Sequence, residues 1–365
     1  MELHLVGGFL GSGKTTAILE AARQLVDKSL RVGIITNEQG KHLVDTAFFR
    51  ASGIPALEVT GGCICCNLND FEERIAEITT KFDPQVLFAE SVGSCTDLVA
   101  TVIKPLSDYQ KTSAHPASLS VFTDSRMLLR YLRGMELPFS EGITYIFEKQ
   151  IEEASLLIVN KIDLLPLEDA QNLMRLAELR YPDKKILPQN SLKPAHVAEW
   201  LTFIRTISHS SPQASLDISY DLYAKGEARF AWVDREYEIV FSDPEQIRFI
   251  ADWIELIVSK LESEKYKIAH LKFLITDDKI NLKFNLTSQD TLEEKISALK
   301  AQLNQFKHND LHLTLNLMVE GDIRQVDSLV DSIFQKVNAE NQVSVKEIER
   351  FSRTPGFPKP TKRIA

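Results

Sequence analysis

Eight residues near the start of this chain, Gly8-Phe9-Leu10-Gly11-Ser12-Gly13-Lys14-Thr15, constrain its fold more than any other feature. They fit G-x-x-x-x-G-K-[ST], follow an apolar run at 3–6 and open a helical pattern at 15–26. A strand, a glycine-rich turn and a helix in that order aim backbone N–H groups and a helix N-terminus at one anion. The pattern predicts that Gly8, Gly11, Ser12, Gly13, Lys14, Thr15 and Thr16 bind nucleotide phosphates. In such a loop Lys14 brings charge to the β- and γ-phosphates, and the Thr15 hydroxyl offers a ligand to Mg²⁺.

A turn of this kind needs a parallel sheet around it, and the first half of the chain supplies one. Short β-branched runs at 3–6, 32–36, 56–60, 86–89, 119–123, 156–159 and 185–187 are nearly continuous, as strands covered on both faces read. Helical periodicity fills the intervals at 15–26, 70–81, 125–134, 141–153, 167–179 and 196–208. The polar stretch that begins at Ser208 reads as a linker over 208–228. Beyond it the order is strand 229–241, helix 244–261, strand 267–275, strand 280–286, helix 291–306, strand 311–319 and helix 323–338. That β-α-β-β-α-β sequence with an extra helix predicts a ferredoxin-like α+β domain over 229–340, its hairpin turning at Asp277-Asp278-Lys279. His270, His308 and His312 are scattered through it and read as structural. The expected plan is a P-loop α/β domain over 1–207, a linker, an α+β domain, and a C-terminal tail over 341–365 whose end, around Pro355, Pro358 and Pro360, reads as solvated and disordered.

Two further motifs fall where the phosphate loop would use them. Glu90 ends a strand in Glu90-Ser91-Val92-Gly93, where a carboxylate holds Mg²⁺ or orients the hydrolytic water and Gly93 approaches the γ-phosphate. Lys14 and Glu90 are therefore the catalytic candidates, with Thr15 and Glu90 at the magnesium. Asn160-Lys161-Ile162-Asp163 follows another strand. Asp163 can accept from guanine N1–H and N2–H, a pairing adenine cannot satisfy, while Asn160 braces the loop and the Lys161 stem lies across the base. The nucleotide expected is GTP, with Ser191 a further base contact.

Three of the four cysteines lie within four positions, Cys63, Cys65 and Cys66. Such thiols make a soft cup for Zn²⁺ or a similar ion, with a fourth position open for release. Cys95 stands apart and reads as a packed thiol. Glu38, in the segment after the second strand, is a candidate neighbour of the metal, and His42 reads as a surface residue. With a formal charge of −9, nucleic acid could bind only through a local basic patch, and none occurs before the short tail at Lys359, Lys362 and Arg363, which reads as a solvated end. No apolar stretch reaches the roughly 20 residues that span a bilayer, and the opening strand is no leader, so a cytoplasmic location is expected.

In order and content, the segments at Gly8, Asn37-Glu38-Gln39-Gly40, Gly61-Gly62-Cys63-Ile64-Cys65-Cys66, Glu90 and Asn160 resemble those of the CobW-type GTPases. These are relatives of the hydrogenase and urease nickel-insertion GTPases. The resemblance covers 1 to about 205 and implies slow GTP hydrolysis with Mg²⁺, and metal binding by the C-x-C-C thiolates coupled to the nucleotide. It further implies delivery of Zn²⁺ or Co²⁺ to a client metalloprotein or a cofactor pathway such as cobalamin synthesis. Nucleotide-dependent homodimers are common in related GTPases and compatible with this chain. Lys41 stands where the family often has a second acid, and the family's His-rich storage loop is absent, which favours transfer over storage. Two rival readings of the same residues are a P-loop small-molecule kinase and a thiol redox-sensing nucleotide-binding protein.

Overall fold

Continuous apolar runs can be buried on both faces only if helices cover both sides of their sheet, and the fold follows from that demand. The computed structural model describes residues 1–37, 44–108, 115–206, 214–277, 279–341 and 343–364. They fall into two compact units: Met1–Gln39 with Asp45–Gly226 and Phe357–Ala365, and Gly40–Val44 with Glu227–Gly356.

The first unit runs β1 (Glu2–Gly8), α1 (Lys14–Asp27), β2 (Val32–Asn37), α2 (Val44–Ala51), β3 (Ala56–Val59), α3 (Leu68–Phe82), β4 (Val86–Glu90), α4 (Lys104–Asp108), β5 (His115–Asp124), α5 (Ser125–Leu132), α6 (Glu141–Glu153), β6 (Leu156–Asn160), α7 (Leu167–Arg180), β7 (Lys185–Pro188), α8 (Pro194–Thr206) and α9 (Tyr220–Glu227). The seven strands form one parallel sheet in the order β3-β2-β4-β1-β5-β6-β7. Helices α1 and α8 pack on one face around Ala17, Ile18, Phe88, Phe122 and Trp200. Helices α3 and α6 lie against β2, β3, β1 and β5. Every strand runs the same way, so the turns after β1, β3, β4, β6 and β7 meet at one edge, the ligand-binding edge of such sheets.

Three helical pieces lie where the periodicity predicted none. Helix α2 begins inside the segment read as a loop, and a π-helical turn, Val99–Ile103, runs into α4. Helix α9 stands in the expected linker. Its Gly226 sits so close to Gly142 that an added Cβ would come 2.4 Å from the Gly142 carbonyl oxygen. The Tyr223 hydroxyl accepts from Thr96 N–H at 3.4 Å. These contacts, which no local pattern encodes, give a short helix its place.

The second unit has β8 (Phe230–Val240), α10 (Phe249–Ser263) entered through a 3-10 turn, β9 (Lys267–Thr276), β10 (Asn281–Leu286), α11 (Leu292–Leu303), β11 (Asp310–Glu320), α12 (Ile323–Asn341) and β12 (Ser344–Arg353). The β-α-β-β-α-β order is present, followed by a helix and a further strand. The antiparallel sheet is ordered β10-β9-β11-β8-β12, so β11 lies between β8 and β9. In the hairpin turn Asp277 Oδ1 accepts from Lys279 and Ile280 N–H; Asp278 lies outside the described residues. Helices α10, α11 and α12 cover one face, with Trp253 among Tyr237, Phe249, Phe273 and Phe334.

The expectation of a disordered end is corrected. Residues 344–353 are an edge strand, and 357–364 lie against the α/β unit. The strand escaped detection because its alternation is mostly charged and a register shift between Glu347 and Glu349 breaks its period, both common devices of sheet edges. His270 is buried and hydrogen-bonds Asn316, consistent with a structural role.

Candidate nucleotide and metal site

The phosphate loop follows β1 with backbone that only glycine adopts freely. Gly8, Gly11 and Gly13 have φ of 126°, 71° and 91°. An added Cβ on Gly8 would meet the Phe122 carbonyl at 2.1 Å, and one on Gly13 the Asn160 Nδ2 at 2.3 Å, so space as well as φ excludes other residues. Helix α1 then starts at Lys14, its N-terminus facing the loop. Lys14 Nζ donates to the Gly8 carbonyl at 2.8 Å and lies 4.0 Å from Glu90 Oε1. The buried Ser12 Oγ meets no hydrogen-bond partner among the described residues, as suits a hydroxyl turned to a phosphate. Thr16 is half-buried in the first turn of α1.

Beside the loop, Thr15 Oγ1 is 3.1 Å from Asp45 Oδ2 and 3.0 Å from Glu90 Oε1. All three side chains are buried. A hydroxyl with two carboxylates is an oxygen-only donor set, which fits Mg²⁺. Sequence reasoning named Thr15 and Glu90 as candidates and did not name Asp45. It lies in the first turn of α2, 30 residues beyond Thr15 in sequence, and the unrecognised helix was the signal that would have drawn notice to it. Glu38, Lys41 and His42 lie outside the described residues.

The turns after β6 and β7 are fastened to the phosphate loop. Asn160 Nδ2 donates to the Ser12 carbonyl at 2.7 Å, and its Oδ1 accepts from Ser191 N–H and Oγ–H at 3.1 and 2.9 Å. Lys161 takes a left-handed φ of 58° and pairs with Asp124 at 3.1 Å. Burial alone would raise the Asp124 acid, but Arg126 and Lys161 hold it below the usual carboxylate range. Asp163 stands exposed in the 3-10 turn Ile162–Leu164, open to a base. Ser191 is buried and braces Asn160.

The cysteine cluster hangs from the neighbouring strands. Asn37, the last residue of β2, donates to the carbonyls of Val59 and Gly62 and accepts from Ile64 N–H at 2.8 Å, so one amide shapes the loop. The chain then turns, with Cys66 and Asn67 N–H both bonded to the Cys63 carbonyl. The three sulfurs lie within 4.8 Å of one another, Cys63 to Cys65 at 2.7 Å and Cys65 to Cys66 at 3.8 Å. Among the described residues this is the group of three His, Cys, Asp or Glu side chains close enough together to hold a metal. Hydrogen bonds from Cys65, Cys66 and Cys95 hold the Cys63 thiol well below its ordinary range, so of the set negative charge settles most readily there. The Cys66 thiol, next to that charge, is pushed up to about 12.

Cys95 is not apart from this cluster: its thiol is hydrogen-bonded to Cys63 and Cys65. It sits two residues beyond Gly93, where an added Cβ would fall 2.7 Å from Leu10 Cδ2 of the phosphate loop. Gln150 of α6 holds this stretch by donating to the Gly93 and Cys95 carbonyls at 3.0 and 2.7 Å.

A glycine loop closed on a helix N-terminus at the edge of a parallel sheet defines a P-loop nucleotide-binding protein. A metal-type thiol cluster, following a strand separated from the loop's own by two others, narrows the class. The chain belongs to the CobW/HypB/UreG family, whose nucleotide-binding domain matches residues 2–187, just over half of it. It is 28% identical over 191 residues to the zinc chaperone YeiR of Escherichia coli, covering 50% of this chain and 53% of that one. It is 29% identical over 181 residues to the zinc chaperone CobW of a Sinorhizobium species, covering 44% and 51%. To the urease accessory protein UreG of Aliarcobacter butzleri it is 29% identical over 170 residues, covering 44% and 74%. The chain thus spans about half the length of the two zinc chaperones. Among solved structures, the hydrogenase maturation factor HypB of Archaeoglobus fulgidus aligns at 20% identity and TM-score 0.40, covering 57% of this chain and 90% of that one. Zn(II)-bound YjiA GTPase of E. coli aligns at 11% identity and TM-score 0.34, covering 91% and 98%. Among the described residues no helix is long and apolar enough to cross a membrane.

Proposed function

We propose that this chain hydrolyses GTP and uses the cycle to bind and hand on a transition metal as cargo, Zn²⁺ or Co²⁺. One observation carries the reading: a single run of chain, Glu90 to Cys95, reaches from the Thr15 hydroxyl to the thiols of Cys63 and Cys65. Lys14 and the loop amides bind the phosphates, and Asp163 accepts from the guanine edge. Thr15, Glu90 and Asp45 would hold Mg²⁺, which when bound neutralises charge on the β- and γ-phosphates. Glu90 also orients the attacking water, and the products are GDP and phosphate.

Coupling then follows from geometry. Gly93 packs on Leu10, so a shift of the loop on loss of the γ-phosphate moves Cys95 against Cys63 and Cys65. Zinc is favoured by the zinc-chaperone relatives and by the thiolate donor set, which also accepts cobalt as a borderline ion. The recipient is a client metalloprotein or a corrinoid pathway, the compartment the cytoplasm, and the active form includes a nucleotide-dependent homodimer.

The test is the affinity of Zn²⁺ and Co²⁺ with GTP or GDP bound, in the wild type and in Cys65→Ser. GTP should tighten binding by roughly tenfold, within the usual range of coupling energies, and Cys65→Ser should weaken it in both states. Equal affinities with the two nucleotides would remove the coupling. Reversible thiol loss without stoichiometric metal would point instead to a redox switch, and phosphoryl transfer to acceptors other than water to a kinase.

A further inference from the structure

The motif supplies the thiols, but a distant part of the chain covers them. Cys63, Cys65 and Cys95 are buried, and Cys66 alone of the four is partly exposed, so exchange with anything outside must pass at Cys66. Residues 358–364 cross there. Pro358 and Pro360 have no N–H to give, and the single N–H between them, that of Lys359, donates to Cys66 Sγ at 3.2 Å. Thr361 Oγ1 donates to the Cys66 carbonyl at 2.7 Å, and Thr361 N–H to the Cys65 carbonyl at 3.1 Å.

The far end of the segment is anchored on the loop that carries Cys95. Arg363 Nε pairs at 2.7 Å with Asp97, whose side chain is only 1% exposed, and Ile364 N–H donates to the Ala100 carbonyl at 2.8 Å. Asp97 is held in turn by the Tyr220 hydroxyl at 2.6 Å, and Arg363 also donates to the Leu216 carbonyl at 2.7 Å. The segment therefore ties together the two loops that bear the thiols.

We propose that residues 358–364 are a strap belonging to the metal site: docked, they shield Cys66 and slow metal exchange; with the Arg363–Asp97 pair broken, they lift and open it. The metal part of this inference rests on the metallochaperone reading above; the shielding does not. With a metal bound, backbone donation to the Cys66 sulfur would stabilise its charge without competing for the metal, so the docked strap holds the ion and the lifted one offers Cys66 to a recipient's ligand.

The full chain with Arg363→Ala and with Lys359→Pro separates the two parts. Metal-free protein is labelled with iodoacetamide and the rate at Cys66 is followed by peptide mass. Zn²⁺-loaded protein is then mixed with excess chromogenic chelator and release is timed. Arg363→Ala should raise both rates by about tenfold, the scale of losing one charged contact. Lys359→Pro keeps the anchor and should speed release alone. Unchanged Cys66 labelling in Arg363→Ala would overturn the strap. Faster labelling with unchanged Zn²⁺ release would overturn its control of exchange. A wild type that binds no Zn²⁺, yet shows faster labelling in Arg363→Ala, would bring down the metallochaperone reading and the control of exchange, and would leave the shielding established.

Discussion

Glu153 shows how much a single buried acid decides at the residue scale. It closes α6, accepts from Val99 N–H at 2.6 Å and so caps the π-helical turn next to Asp97. Burial pushes its acid up to about 7 from 4.5, with nearby Asp97 adding to the rise and backbone donors opposing it. The folded chain therefore holds this proton more tightly than the unfolded one. The associated stability is complete below pH 4.5 and is lost as pH rises from there through about 7, a loss of about 3 kcal/mol. Glu153→Gln keeps an acceptor and carries no charge. Thermal melts between pH 4 and pH 8 should fall less steeply for the variant, and parallel curves would show that Glu153 does not titrate in this window.

At the scale of elements, α12 and β12 are joined through one buried cation. Arg235 of β8 is fully buried yet meets Asp327 and Asp331 of α12 and Glu347 of β12. Ser352 of β12 donates to Asp327 and contacts Arg235 as well. A desolvated guanidinium is costly unless its donors are met, so each carboxylate removed leaves a charge under-compensated. Asp327→Ala should destabilise the α+β unit by about 2 kcal/mol, less than loss of the whole set because Asp331 and Glu347 remain. Urea unfolding measures it, and a midpoint equal to the wild type would place the weight of the cluster on the other two acids.

At the scale of the molecule, each unit has a core among the described residues, one around Phe88, Phe122 and Trp200, another around Trp253 and Tyr237. The glycine loop, the Thr15–Asp45–Glu90 cluster and the thiols, proposed above to hold phosphate, Mg²⁺ and cargo metal, lie in the first unit. Mg–GTP at about 100 times its Kd should stabilise that unit by about 2.7 kcal/mol. Hydrogen exchange should slow in β1, β4 and β5 and stay unchanged in β8, β9 and β11. Equal slowing of both sheets would show that the nucleotide stabilises the two units together.

Legibility followed the range of the interaction. The seven parallel strands and the motif glycines could be read directly, because continuous apolar runs and a glycine loop between strand and helix are local patterns. Asn160 was readable as a brace; its partners, the Ser12 carbonyl and Ser191, were not. Asp45 at Thr15, Cys95 at the cluster, α9 against Gly142 and the strap over Cys66 join positions far apart in sequence, and no periodicity records such a meeting. By itself, then, the sequence determined the glycine loop, the Asn160–Asp163 motif and three clustered thiols, since each is a short run whose chemistry travels with it. The tertiary structure alone decided that those thiols stand one loop from the glycine loop and beneath a segment nearly 300 residues away, because only packing brings remote backbone to a given thiol.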